Sequence, residues 1–468
     1  MILRRVEPYR LLLFTLAVSM SPVCASGGEP GANDPLKRAG FFGAQVGPLT
    51  DKARQEQKLK EGGGTLVMKV IPGSTAEEAG FQAGDVITAV DDSQTPGPAQ
   101  FVAALSGRKG GDKARLTFVR GGQSNTKAVT IKPRPRETGN ADFDVIYDSV
   151  PSRGGRLRTI VTRPKASGKK HPVFFLIQGL GGFSVENIPG HPTFYPPIYE
   201  DFARRGYVTL RVDKPGQGDS EGGPTRDVDF ETELDGYRQA LKAVVSYDFV
   251  DKDRVFIFGH SMGGVMAPLL AAERPVKGIA AYGTASKTWY EYMLETTRRQ
   301  MALDGIPASE IDDALRKDAA INHALYAEGR SPEEVVKAHP ELGPRIDQLI
   351  ADGKYFAARH YKFFHQLAGK NLAAAWEKFD GHALALWGKA DFVSTEADHA
   401  LIAEIVNKAH PGHGTFIAMD GIDHGFGRAA SQDESRKSLG RAGRFNTDIV
   451  TTLRDWVAKV DGQATRAQ

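Results

Sequence analysis

The strongest constraint on how this chain can fold lies in its second half, where short, almost wholly apolar runs recur between polar, helix-forming segments. Val173-Phe-Phe-Leu-Ile177, Tyr207-Val-Thr-Leu-Arg-Val212, Val255-Phe-Ile-Phe258, residues 276–282 and Ala383-Leu-Ala-Leu-Trp387 are such runs. A strand with no polar face has to be covered on both sides, which is the condition of a parallel sheet sandwiched by helices. Between the second and third runs, Phe230, Leu234, Tyr237, Leu241 and Val244 recur at helical spacing. They predict the crossover helix that parallel neighbours require. Residues 141–462 therefore read as an α/β domain with a mostly parallel sheet flanked by helices. Within it, residues 286–380 replace the alternation with helix-forming sequence carrying Trp289, Tyr290, Tyr292, Tyr355, Phe356, Tyr361, Phe363 and Phe364. This stretch reads as an inserted helical cap. Taken one at a time, its aromatics are packing residues of the cap; taken together, they are a source of side chains for a substrate pocket.

Ahead of this domain the pattern is different. Residues 26–38 are rich in Gly, Pro and Asn and read as a tether, and a second break, rich in proline and charge, ends in a linker at 135–140. They bracket residues 39–134, where 65–71 and 115–119 read as strands and 98–105 as a short helix with Phe101 and Leu105 one turn apart. A small β-rich domain is expected there.

The first 25 residues have the layout of a secretory signal. Arg4, Arg5 and Arg10 precede an apolar centre at 11–20, and Val23-Cys24-Ala25 offers a small-residue cleavage site. The apolar centre is about half of the ~20 residues a spanning helix needs, so a retained anchor is the weaker reading and no stable membrane insertion is expected after cleavage. Ser21-Pro22-Val23 is a poor match to the residues that usually precede a lipidated cysteine. The expected location is periplasmic or extracellular. Cleavage removes Cys24, the only cysteine, so neither a disulfide nor a thiolate metal site is open to the mature chain. The formal charge of +3 falls to about +1 without the signal, which gives no electrostatic case for nucleic acid or an acidic membrane surface.

Gly259-His260-Ser261-Met262-Gly263 fits Gly-x-Ser-x-Gly, the turn that holds a serine hydroxyl above a sheet. In a chain with 52 glycines the bare pattern says little. Its position says more, because it directly follows the apolar run 255–258 and directly precedes a helix-compatible run at 265–272. A serine hydroxyl is a weak nucleophile until a base takes its proton, so an oriented histidine is required. His424 in Gly421-Ile-Asp-His-Gly425 follows the strand-like run 415–419 and is the candidate; His260 lies inside the turn itself, and His360 and His365 lie in the cap. Asp391, just past the run 383–387, is the candidate carboxylate. Asp423 is its rival, though a residue adjacent in sequence cannot easily turn its carboxylate onto the histidine ring. An acyl-transfer site also needs backbone N–H groups for the developing oxyanion. Met262 N–H is one candidate. Leu180 N–H, in Gln178-Gly-Leu-Gly-Gly182, is the other, with a plain turn after the strand as the competing reading.

These motifs together resemble the α/β-hydrolase superfamily, in particular its capped branch of esterases, lipases and serine aminopeptidases. Asp213-Lys-Pro-Gly-Gln-Gly-Asp-Ser220 resembles that family's Asp-x-x-Gly-x-Gly-x-Ser turn, whose role there is structural. Many relatives have His-Gly where this chain has Gln178-Gly179, a departure that bears on the oxyanion loop. The resemblance implies a Ser261–Asp391–His424 triad, an ester or peptide substrate, and neither a metal nor an organic cofactor. Residues 70–87 are similar to the core of PDZ domains of the bacterial protease type. That similarity implies that Phe41, Phe42 and Gly43 belong to a loop able to receive a peptide C-terminus; an empty groove, or one that docks on the cap, is the alternative. Ester hydrolysis is the leading expectation. A serine exopeptidase fed by the PDZ-like module, and a scaffold that binds without turnover, are the competing ones.

Overall fold

The central sheet has eight strands: β1 (Phe143–Ser152), β2 (Gly155–Pro164), β3 (His171–Ile177), β4 (Val208–Val212), β5 (Val250–His260), β6 (Gly278–Tyr282), β7 (His382–Gly388) and β8 (Gly414–Met419). They lie in the order β1-β2-β4-β3-β5-β6-β7-β8. From β4 to β8 every neighbouring pair is parallel. This computed structural model describes residues 35–462, apart from 60–62, 167–169, 189–193, 439 and 441–442. The signal expected at residues 1–25 and the start of the tether lie outside the described residues.

The apolar runs explain the layering. In β3, Val173, Phe175 and Ile177 enter one core, with helices Phe230–Val244, Met262–Ala271 and Glu396–Ala409, while Phe174 and Leu176 enter a second, with helices Pro196–Arg204 and Asp448–Asp461. The period of two sends successive side chains to opposite faces, so a strand apolar at every position binds both layers together. β1 and β2 form an antiparallel hairpin at one edge, and β2 pairs antiparallel with β4. No apolar run announces this hairpin: β1 is an edge strand of mixed burial, and β2, though largely buried, includes the buried polar residues Arg158, Thr159 and Thr162, with Arg158 paired to Asp219 at 2.9 Å.

The cap runs from helix Trp289–Leu303 to helix Leu372–Glu377 and includes a two-residue hairpin of Tyr355–Phe356 with Arg359–His360. Its aromatics are largely its own core. Trp289 stacks on Phe364 at 5.1 Å and on Tyr292 at 5.1 Å, and Phe363 meets Phe364 edge-on at 5.3 Å.

The chain divides into two compact units. One holds Thr138–Val185 and Phe194 onward; the other holds Pro35–Glu137 and also the segment Glu186–Thr193. In the second unit, antiparallel strands Ala44–Pro48, Thr65–Val70, Val86–Val90, Lys113–Arg120 and Gln123–Thr130 form a sheet, and helix Pro98–Leu105 buries Phe101. Membership of 186–193 in this unit is not foreseeable from composition. Its described part is tied in by charge and apolar contact: Glu186 pairs with Arg38 at 2.6 Å and Arg134 at 3.5 Å, and Ile188 packs with Phe41 and Ile71. Phe42 lies in the core, edge-on to Phe81 and Phe101. The carbonyls of Phe41, Phe42 and Gly43 are taken inward by Thr75 Oγ1, Ala76 N–H and Ile71 N–H, at 2.6, 2.8 and 2.9 Å.

Candidate functional site

The carboxyl ends of the parallel strands collect the candidate residues, as expected for an open α/β sheet. Ser261 follows β5 directly and caps helix Met262–Ala271. Its backbone sits at φ 54° and ψ −119°, a region that L-residues avoid and that serves here to turn a strand into a helix within one residue. The crossing is tight: a Cβ on Gly263 would lie 2.1 Å from Ile177 O, at the end of β3. The sharp turn and the neighbouring strand therefore both demand a glycine at 263.

His424 and Asp391 come together. His424 Nδ1 lies 2.9 Å from Asp391 Oδ2, and the carboxylate is fully buried while the histidine side chain keeps 19% of its exposure. Asp391 also accepts from Val393 N–H at 2.7 Å, Ser394 N–H at 3.1 Å and Ser394 Oγ at 2.6 Å, so every lone pair facing the protein is used. Gly283, after β6, is at φ 64°, and a Cβ there would approach His424 Nδ1 to 2.9 Å and Asp391 Oδ2 to 3.2 Å. The rival Asp423 is occupied otherwise: its Oδ1 accepts from Gly425 and Gly427 N–H at 2.9 and 2.7 Å, which folds the loop that carries His424. Among the described residues no hydrogen bond joins the Ser261 hydroxyl to His424. The N–H groups of Met262 and Leu180 likewise carry none among the described residues, and Gly179, next to Leu180, is close enough to Ser261 that a Cβ on it would lie 3.5 Å from Oγ.

Comparison with known families gives residues 188–427 a match to the family described as serine aminopeptidase, S33. That span is more than half of the chain. The chain belongs to the serine aminopeptidase S33 family. A PDZ domain matches residues 40–131. Over 305 residues, 64% of this chain and 65% of the relative, this S33 family member is 21% identical to the esterase EstD of Thermotoga maritima. Over 98 residues it is 31% identical to a probable periplasmic serine endoprotease, DegP-like, of Rhizobium meliloti, covering 21% of this chain and 19% of that protein. The chain thus spans about a fifth of one curated relative and under two thirds of the other. Among solved structures, Est1E from Butyrivibrio proteoclasticus with ferulic acid bound matches at a TM-score of 0.42 and 16% identity, over 67% of this chain and 99% of that one.

The electrostatics of the candidate site follow from burial and pairing. Burial would raise the Asp391 pKa and lower that of His424, but their mutual attraction wins in both: the carboxylate is held well below its usual range and the imidazole above its own. Asp423 moves the other way, pushed up to about 6 by burial. Among the described residues no group of three or more His, Cys, Asp or Glu side chains could hold a metal ion.

Two parts of this candidate site in the S33 family member escape sequence reasoning. His260 Nε2 lies 2.9 Å from His424 O, a carbonyl that can only accept, so Nε2 carries the proton and Nδ1 accepts from Tyr195 Oη at 2.9 Å. Tyr195 Oη in turn accepts from Gly179 N–H at 3.2 Å. Burial pushes the His260 pKa down to about 3, which keeps the ring neutral and this pattern fixed. A line of hydrogen bonds therefore runs from the 178–182 loop to the backbone of His424, and Tyr195 lies in no motif that would announce it. The second part is a buried cluster of Lys214, Glu233 and Arg359 beneath the same loop. Gln178, the departure from the family's His-Gly, is buried with its Nε2 3.4 Å from Val212 O.

Proposed function

We propose that the chain is an exported serine hydrolase that cleaves a carboxylic ester through an acyl-enzyme on Ser261. The observation that carries this reading is the buried Asp391–His424 pair at the strand ends that also present Ser261 in its strained turn. Ser261 Oγ attacks the ester carbonyl carbon while His424 Nε2 takes its proton, and the carbonyl oxygen becomes the oxyanion. Leu180 and Met262 N–H receive that charge. Collapse breaks the bond to the alkoxy group, which leaves as the alcohol with the proton from His424; water then repeats the sequence on the acyl-enzyme and releases the acid. Asp391 stabilises the imidazolium and fixes its tautomer.

The name of the Thermotoga maritima relative supports an ester substrate. A second reading, cleavage of an amino-terminal peptide bond by the same residues, is favoured by the family description and by the PDZ module. Turnover of p-nitrophenyl esters set against amino-acid anilides separates the two, and exclusive anilide cleavage would reverse the order. Export is supported by the layout of residues 1–25 and by the periplasmic relatives over the PDZ region. For that module we propose capture of a peptide C-terminus by the N–H groups of Phe42 and Gly43, which carry no hydrogen bond among the described residues. Binding of a C-terminal peptide library, with amidated versions as controls, tests it: equal binding of the amidated set would reject carboxylate recognition.

A further inference from the structure

The loop that offers Leu180 N–H is not held by its own sequence. Gly179 O accepts from Lys214 Nζ at 2.5 Å, and Leu180 O accepts from Arg359 Nε at 3.3 Å. Lys214 follows β4, and Arg359 comes from the cap hairpin. Both cations converge on Glu233 of helix Phe230–Val244: Lys214 Nζ is 2.8 Å from Oε1, and the Arg359 guanidinium is bonded to Oε2. None of the three side chains is more than 2% exposed. Two cations against one carboxylate leave one net positive charge sealed behind the peptide that joins Gly179 to Leu180. A surplus buried charge is costly, and hydrophobic packing alone would not need it.

The geometry points to Lys214, with Glu233 and Arg359 as its supports, as the residue that positions and polarises the oxyanion-binding peptide. A peptide unit is planar and trans, so its C=O and N–H point in opposite directions. An ammonium fixed on Gly179 O thereby aims Leu180 N–H away from itself, in a loop so near Ser261 that a Cβ on Gly179 would lie 3.5 Å from its Oγ. It also draws electron density toward the carbonyl oxygen and leaves the N–H a stronger donor. In a dry interior the same charge attracts the oxyanion directly, more strongly than it would in water. Because the charge on the substrate oxygen develops only on the way to the tetrahedral intermediate, the effect belongs to the transition state rather than to binding. The cap takes part: its Arg359 shares the carboxylate and holds the next carbonyl, and it also donates to Thr225 O at 2.6 Å. Burial lowers the Lys214 pKa to about 8 despite the Glu233 charge, so the ammonium form predominates at neutral pH.

This inference rests on the acyl-enzyme reading, and the test separates the two. Full-length wild type, Lys214→Met, Lys214→Gln, Arg359→Met and Ser261→Ala are compared on p-nitrophenyl butyrate, with rates expressed per folded protein and, for the variants that keep Ser261, also per site titrated to completion by a fluorophosphonate. Each of the three cluster variants removes one cation and leaves a neutral pair. Lys214→Met should lose kcat by about 10- to 100-fold with KM within twofold, somewhat less than the loss on removing a direct oxyanion donor. Lys214→Gln, which keeps a donor without the charge, should fall between it and wild type. Affinity for a trifluoromethyl ketone, which forms an oxyanion on the serine, should weaken in proportion to kcat, a change that loss of folded protein would not produce. A folded Lys214→Met or Lys214→Gln with kcat within twofold of wild type overturns the assignment, as does failure of all three cluster variants to fold. Activity retained by Ser261→Ala instead rejects the acyl-enzyme reading itself.

Discussion

The two walls of the site are built by opposite means. The wall that carries the proposed nucleophile is made by local sterics: a strand, one residue at positive φ, and a helix, with a glycine where β3 presses on the turn. The proposed oxyanion wall on the 178–182 loop is made by distant partners, with Tyr195 on the N–H of Gly179 and Lys214 on its C=O. The lesson is one of tolerance. A wall dictated by neighbours in sequence fails abruptly when its few residues change, whereas a wall assembled from remote side chains should lose precision by degrees.

Substitutions at each wall should therefore differ in size. Ser261→Ala is expected to reduce kcat by on the order of 10⁶ if the three residues act as a unit; steady-state ester hydrolysis checks it, and a loss under tenfold would remove the nucleophile wall from the comparison. Asp391→Asn should cost on the order of 10⁴ through loss of the correct tautomer. It should also move the pH profile. His424 must be neutral to act as a base, and its pKa is raised by Asp391, so the acidic limb of kcat/KM should lie above 6.5 in wild type and fall to lower pH in the variant. A limb that stays in place would mean that Asp391 does not set the imidazole. Gly283→Ala tests sterics between the walls: the added methyl would meet His424, and a base displaced by about 1 Å should cost on the order of 100-fold. Tyr195→Phe should be mildest, on the order of tenfold in kcat, since it leaves Gly179 N–H and His260 Nδ1 without a partner at ~1–3 kcal/mol each. A loss as large as that of Asp391→Asn would erase the proposed contrast.

The same distinction governs what could be read from the sequence. The β5–Ser261–helix unit is local, so residues 255–272 announce it, and the fully apolar runs announce their strands because both faces are buried. Helix Phe230–Val244 was legible for the same reason, through its one-sided apolar spacing. The β1–β2 hairpin and residues 186–188 were not: the hairpin mixes polar with apolar residues along both strands, and Glu186 is held by Arg38 and Arg134, far away in sequence. Lys214 is visible in the Asp-x-x-Gly-x-Gly-x-Ser turn, but only contact with Gly179, 35 residues away, gives it a role. Arg359 is farther still from Leu180, by 179 residues. Pairings of this range leave no periodicity for sequence reasoning to find.

The conformation of residue 261 sets activity against durability. A side chain held at φ 54° and ψ −119° stores on the order of 1–3 kcal/mol of backbone energy, which glycine at that position would release while giving back ~0.5–1 kcal/mol through its looser unfolded chain. The natural molecule is thus expected to melt at a lower temperature than a Ser261→Gly counterpart, inert on the proposed mechanism, because the hydroxyl is kept in a pose the polypeptide would otherwise abandon.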